Sequence, residues 1–171
     1  MTRRKIIVGV GDMKISNDIN AEISTLALGS CIGVAVYDPI VKVGGILHYM
    51  LPDSRVNPQK AIKNPYMFAD TGIPRLFKKV YEYGAKKYNL IVKVAGGASI
   101  LDDNKVFDVG KRNYLVLRKI FWKNNVLIDA EAVGGTLSRT MYLFINDGTL
   151  IINSPGKEKC VLCIFLILLI K

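Results

Sequence analysis

Histidine is nearly absent from this chain: His48 stands alone in 171 residues. Cysteine is scarce too, with Cys31 in the first third and Cys160 and Cys163 near the end. One histidine and one C-x-x-C pair supply too few ligands for a structural zinc site, so no metal is expected. A small, odd cysteine count is not a disulfide framework. The C-x-x-C pair also lies inside an apolar run rather than between a strand and a helix, which argues against thioredoxin-like chemistry. Acidic residues are few: 14 against 24 Lys and Arg leave a formal charge of +10. That balance favours an acidic partner, but the basic residues are scattered and no nucleic-acid motif accompanies them, so nucleic acid is not expected. No repeat or low-complexity tract is present. The longest apolar run, residues 160–170, falls short of the roughly 20 residues a membrane-spanning helix needs. The opening Met-Thr-Arg-Arg-Lys-Ile-Ile-Val-Gly-Val-Gly is too soon broken for a signal peptide. A cytoplasmic location is therefore expected.

What is present is a globular composition, half apolar and 22% charged, in a length suited to one domain. Residues 1–159 are read as that domain and 160–171 as an apolar C-terminal tail of no assigned role. Apolar alternation and β-branched runs predict strands at 5–10, 23–28, 32–37, 41–51, 90–95, 126–133, 140–145 and 149–153. Asn146-Asp147-Gly148 marks a hairpin between the last two. Residues 55–65 carry Pro, Asn and Lys without periodicity and read as a mobile loop. A helix is predicted over 70–83, capped by Asp70 and closed by Gly84. A second is predicted over 114–123 with Asn113 as its cap. Many strands and two helices make an α+β domain, an α/β sandwich with mainly antiparallel sheets flanked by helices.

Cys31 and His48 flank a hairpin. With Pro39-Ile40 as a two-residue loop, Asp38 faces Val41 and Cys31 falls directly opposite His48, within touching distance. One face of this ribbon then carries Ile32, Val34, Val36, Val43 and Leu47. The other carries the small residues Gly33, Ala35 and Gly44 beside Cys31 and His48, which suits a cleft. A bulge at Gly44-Gly45 would shift this register. A free thiol near pKa 8.5 is a weak nucleophile until a base takes its proton, and an imidazole can do so. Thr25 is a candidate to orient that imidazole. Backbone N–H groups around Gly29 and Ser30 are candidates for an oxyanion hole or substrate contact. The alternative is a structural cysteine with an unrelated histidine.

The stretch T-L-A-L-G-S-C-I-G-V-A-V-Y-D followed by G-G-I-L-H-Y-M-L-P-D-S resembles the CheD family of chemotaxis proteins. F-A-D-T-G-I-P at 68–74, K-V-A-G-G-A-S at 93–99 and V-G-K-R-N at 109–113 continue the likeness in order, from about residue 5 to 154. The chain departs at Ile100, where relatives commonly carry Met or Phe. The tail has no counterpart in the resemblance.

The resemblance implies a fold similar to glutamine-deamidating toxins and a hydrolase of the protein-glutamine glutaminase type. Such an enzyme converts selected glutamines on the cytoplasmic helices of methyl-accepting chemoreceptors to glutamate, with receptor methylesterase as a possible side activity. The family's catalytic Cys, His and Thr fall on Cys31, His48 and Thr25. No cofactor is implied. The CheC phosphatase is the implied binding partner, and a CheC-binding regulator with little hydrolase activity is the alternative function. Arg139 occupies the position of a family arginine, and Ser99 and Asn113 read as structural.

Overall fold

A computed structural model describes residues 3–99 and 108–163; Ile100 and residues 164–171 of the tail lie outside them. Among the described residues ten strands occur in chain order: β1 (Arg4–Val8), β2 (Asp12–Ser16), β3 (Ala21–Leu28), β4 (Ile32–Asp38), β5 (Val43–Tyr49), β6 (Ile91–Gly96), β7 (Ala130–Val133), β8 (Arg139–Phe144), β9 (Leu150–Asn153) and β10 (Cys160–Val161). The helices are α1 (Pro58–Lys63), α2 (Ala69–Glu82) and α3 (Val109–Lys123).

The strands form two five-stranded sheets, ordered β1-β3-β8-β9-β10 and β2-β5-β4-β6-β7. Pairing is antiparallel except for β1 with β3 and β6 with β7. The sheets face each other across one apolar layer that includes Ile23, Leu28, Ile46, Met141 and Leu143. The second sheet packs its other face, through Val34, Leu47 and Tyr49, against Leu76, Phe77 and Phe121 of α2 and α3. Strands β4 and β5 are consequently buried on both faces, which is why their sequence is β-branched and small residues with scarcely a charge.

The β4–β5 hairpin differs from the two-residue loop expected. Asp38 pairs with Val43, leaving four residues in the loop. Pro39 has no N–H to donate. The Asp38 carboxylate instead accepts from the N–H groups of Ile40 and Val41, at 2.8 and 3.4 Å. Pro39, locked near a φ of about −65°, cannot take the positive φ that a two-residue I′ or II′ loop needs at its first position, and the positive φ falls instead on Lys42, at 50°. The register moves by two, so the division of side chains between the faces is the one expected, while His48 faces Gly33 rather than Cys31.

Four further points of the sequence expectation need correction. Strand β2 was not anticipated, and residues 55–65 contain α1 and short 3-10 turns rather than an irregular loop. Asp70 does not cap α2; its carboxylate accepts from the N–H and hydroxyl of Ser54, at 2.9 and 2.6 Å, and ties the 53–56 turn to the helix. Asn113 is not the start of α3 either. Asp108 caps that helix by accepting from the Lys111 N–H at 2.8 Å, and Asn113 is buried one turn inside it.

Candidate functional site

The nucleophile candidate lies on the crossing between the sheets. Strand β3 belongs to the first sheet and β4 to the second, so residues 29–31 carry the chain from one layer to the other. A bulge after Thr25, with Ala27 at φ 54°, turns the end of β3 toward this crossing. Cys31 is half-buried and packs against the layer between the sheets.

His48 projects from β5 into the same layer. Its register partner Gly33 has no side chain, and a Cβ there would meet Met141 Sδ and come within 2.9 Å of Leu28 Cδ1. The space beside the imidazole is thus already filled from the opposite sheet. Cys31 lies one residue before β4 and two before Gly33, and it packs against the same layer from the crossing.

Thr25 reaches His48 from the other sheet. The Thr25 hydroxyl donates to the Val8 carbonyl at 2.8 Å, and its oxygen lies 2.8 Å from His48 Nδ1. A hydroxyl has one proton. With that proton given to Val8, the oxygen accepts from Nδ1–H, and the tautomer follows. Nε2 carries the free lone pair and has no hydrogen-bond partner among the described residues. The Gly11 N–H donates to the His48 carbonyl at 2.8 Å and holds the strand from its far edge.

Burial sets the protonation states. It pulls the His48 pKa down to about 4 and pushes the Cys31 thiol up, a rise that the cysteine's own backbone N–H partly offsets. Tyr49 is raised well above its ordinary value, by burial first and by the negative charge of an ionised Cys31 second. The resting site is therefore a neutral thiol near a neutral imidazole, not an ion pair. Such a histidine can take a proton as the sulfur attacks.

The loop around Cys31 is held through its carbonyls. Gly29 O accepts from the Ala98 N–H and Cys31 O from the Gly97 N–H, both at 2.8 Å. Ser30 O accepts from Asn113 Nδ2 at 2.9 Å. The sequence reading left Gly97 and Asn113 out of the site; the G-G-A-S and V-G-K-R-N motifs were the signal. The Ser99 N–H donates to Gly135 O at 2.9 Å, consistent with a structural position. Arg139 donates to the carbonyls of Gly134 and Leu137, at 2.8 and 3.3 Å, and braces the turn that precedes β8.

Among the described residues, no cluster of three or more His, Cys, Asp or Glu is arranged to hold a metal ion. No helix among them is long and apolar enough to cross a membrane. Cys160 and Cys163 are exposed and unpaired by disulfide.

Known proteins resemble this chain over most of its length. The family described as CheD chemotactic sensory transduction matches residues 50–154. A protein of Solibacter usitatus named as a probable chemoreceptor glutamine deamidase CheD is 54% identical over 91% of this chain and 92% of its own. One from Syntrophus aciditrophicus with the same naming is 55% identical over 88% of this chain and 94% of its own. One from Anaeromyxobacter dehalogenans is 44% identical over 87% and 94%. The family match begins just past His48, but the similarity to these relatives is too long to leave residues 25–48 outside it.

Proposed function

The chain belongs to the CheD family, and from that premise we propose that it is a chemoreceptor glutamine deamidase in which Cys31, His48 and Thr25 carry the chemistry. The observation that carries the reading is the Thr25 hydroxyl fixing Nδ1–H of His48, which leaves Nε2 as a free base in the layer it shares with Cys31.

The reaction follows from these positions. His48 Nε2 takes the thiol proton while Cys31 Sγ bonds to the side-chain carbonyl carbon of a receptor glutamine. The carbonyl oxygen becomes an oxyanion, which the backbone N–H groups of Gly29 and Ser30 stabilise. The C–N bond then breaks as His48 returns the proton to the departing nitrogen, releasing ammonia and leaving a thioester. Water, deprotonated by His48, attacks the thioester carbon. The C–S bond breaks, the thiol regains its proton, and glutamate remains. These steps require neither a metal nor an organic cofactor. Methyl esters of receptor glutamates fit the same steps, with methanol leaving in place of ammonia.

The substrate segments are the cytoplasmic helices of chemoreceptors, which places the reading in the cytoplasm, and the +10 charge suits acidic helices of that kind. CheC is the second proposed partner. A CheC-binding regulator with little hydrolase activity is the alternative, but binding alone requires no partner-free imidazole nitrogen near a thiol.

The test is intact-mass and tandem analysis of cytoplasmic receptor fragments after incubation with the wild type and with Cys31→Ala. An amide-to-acid mass gain at defined glutamines, absent with Cys31→Ala, is expected. No mass change on several receptors from folded protein, together with capture of CheC, would replace the enzyme reading with the regulator.

A further inference from the structure

Asn113 joins the two halves of the site. Its Nδ2 donates to Ser30 O at 2.9 Å and to Met50 O at 2.8 Å. Ser30 immediately precedes Cys31, and Met50 lies two residues past His48. One fully buried side chain thus spans the loop that carries the thiol and the end of the strand that carries the base. Both amide hydrogens are committed. Turning the amide over would set Oδ1 against two carbonyl oxygens, so the orientation is fixed by its partners. The cost of that choice is visible: Oδ1 is buried with no hydrogen-bond partner among the described residues, a state natural proteins seldom tolerate without reason.

The reason lies in the peptide plane between Ser30 and Cys31. Peptide bonds among the described residues are trans, so the Cys31 N–H points opposite to the Ser30 carbonyl in the same rigid plane. A donor that holds Ser30 O also sets the heading of the Cys31 N–H. The neighbouring carbonyls of Gly29 and Cys31 are held by backbone donors of the 97–98 segment. Only the central one of the three depends on a side chain.

We propose that Asn113 is a positioning residue for the nucleophile: through Ser30 O it aims the Cys31 N–H at the sulfur, and through Met50 O it sets the spacing between the loop of Cys31 and the strand of His48. The N–H contributes because a donor fixed beside a developing thiolate stabilises charge without reorganising. Electrostatics agree, since that N–H already opposes the burial-driven rise of the thiol. The assignment deepens the deamidase reading and rests on it for the catalytic consequence, but the aim of the N–H at the sulfur has a readout that needs no substrate.

The experiment uses the full chain with Cys160→Ser and Cys163→Ser, so that Cys31 is the only thiol. The rate of iodoacetamide alkylation is followed against pH for this background, for Asn113→Ala, and for Phe121→Leu as a core variant on the same helix. Asn113→Ala is expected to raise the apparent thiol pKa by about one unit. It is also expected to lower kcat on receptor fragments by roughly 10- to 100-fold with KM little changed. Phe121→Leu should lower the melting temperature while keeping the parent alkylation profile. An unchanged profile in folded Asn113→Ala, or an equal shift in Phe121→Leu, would overturn the proposal. If Asn113→Ala does not fold, Asn113→Ser, which offers one donor for two carbonyls, takes its place under the same criterion. A shifted profile in a protein inactive on every receptor would keep the positioning role and remove the deamidase reading.

Discussion

Thr25 and His48 meet at 2.8 Å although they belong to different sheets. The contact fixes the imidazole tautomer from across the apolar layer, and its removal has two separable effects. Thr25→Val keeps the shape but leaves Val8 O and His48 Nδ1–H unpaired, at a cost of about 1–3 kcal/mol. Turnover is expected to fall roughly 10²-fold, because the imidazole loses its fixed orientation as well as its fixed tautomer. Thr25→Ser restores the hydroxyl and should recover most of the rate. Urea unfolding and receptor-fragment kinetics on the three proteins check both effects.

The depressed pKa of His48 predicts an unusual acid limb. The base form must be neutral, so kcat/KM is expected to hold through pH 6 and to fall with a midpoint near the folded pKa of about 4. A solvent-exposed histidine would give a midpoint near 6.5 instead.

The same group links stability to pH. His48 is neutral in the fold but takes up a proton on unfolding below about pH 6.5. Its contribution is thus fully present above that pH. It is lost as pH falls toward about 4, below which both states are protonated. At pH 5 the wild type should have lost about 2 kcal/mol relative to pH 7.5 from this residue. Subtracting the profile of His48→Gln isolates the term, and equal pH slopes for the two proteins would exclude it.

Gly96 predicts a lesion that strikes the site before the fold. Its φ is +111°, and a Cβ there would land on the Cys31 carbonyl oxygen. Backbone, not a flexible side chain, would have to give way. Gly96→Ala is expected to abolish measurable turnover and to change the alkylation rate of Cys31, while circular dichroism retains the native sheet signal.

Asp70 gives a milder case. Asp70→Ala releases the N–H and hydroxyl of Ser54 and should expose the turn containing Arg55 to trypsin. A loss of about 1–2 kcal/mol is expected, with turnover on receptor fragments measured at a temperature where the variant stays folded.

Much of this architecture is legible from the residues. The run from Ile32 to Asp38 could only be a strand, and alternation along it assigns Gly33 and Ala35 to one face and Val34 and Val36 to the other. Parity survives any even shift, which is why the faces were readable although the register was not. The register depended on the Asp38 carboxylate capping two N–H groups, a side-chain choice that alternation does not encode. The first turn of α3 was missed for a similar reason. Asn113 and Asp108 are both acceptable caps by type, and only burial distinguishes the cap from the residue that holds Ser30. The reach of Thr25 to His48 between layers has no local signature: its place on the preceding strand made it a candidate, and the family resemblance pointed to the same residue.

The division of the site between two sheets makes its chemistry conditional on assembly. Val8 and Thr25 come from one layer and His48 from the other, so a chain whose layers have not yet closed contains the thiol and the imidazole but no oriented base. On the proposed reading, such a newly made or loosened molecule is inert toward the many glutamines it meets in the cell. The enzyme becomes capable of editing proteins only once its own folding is complete.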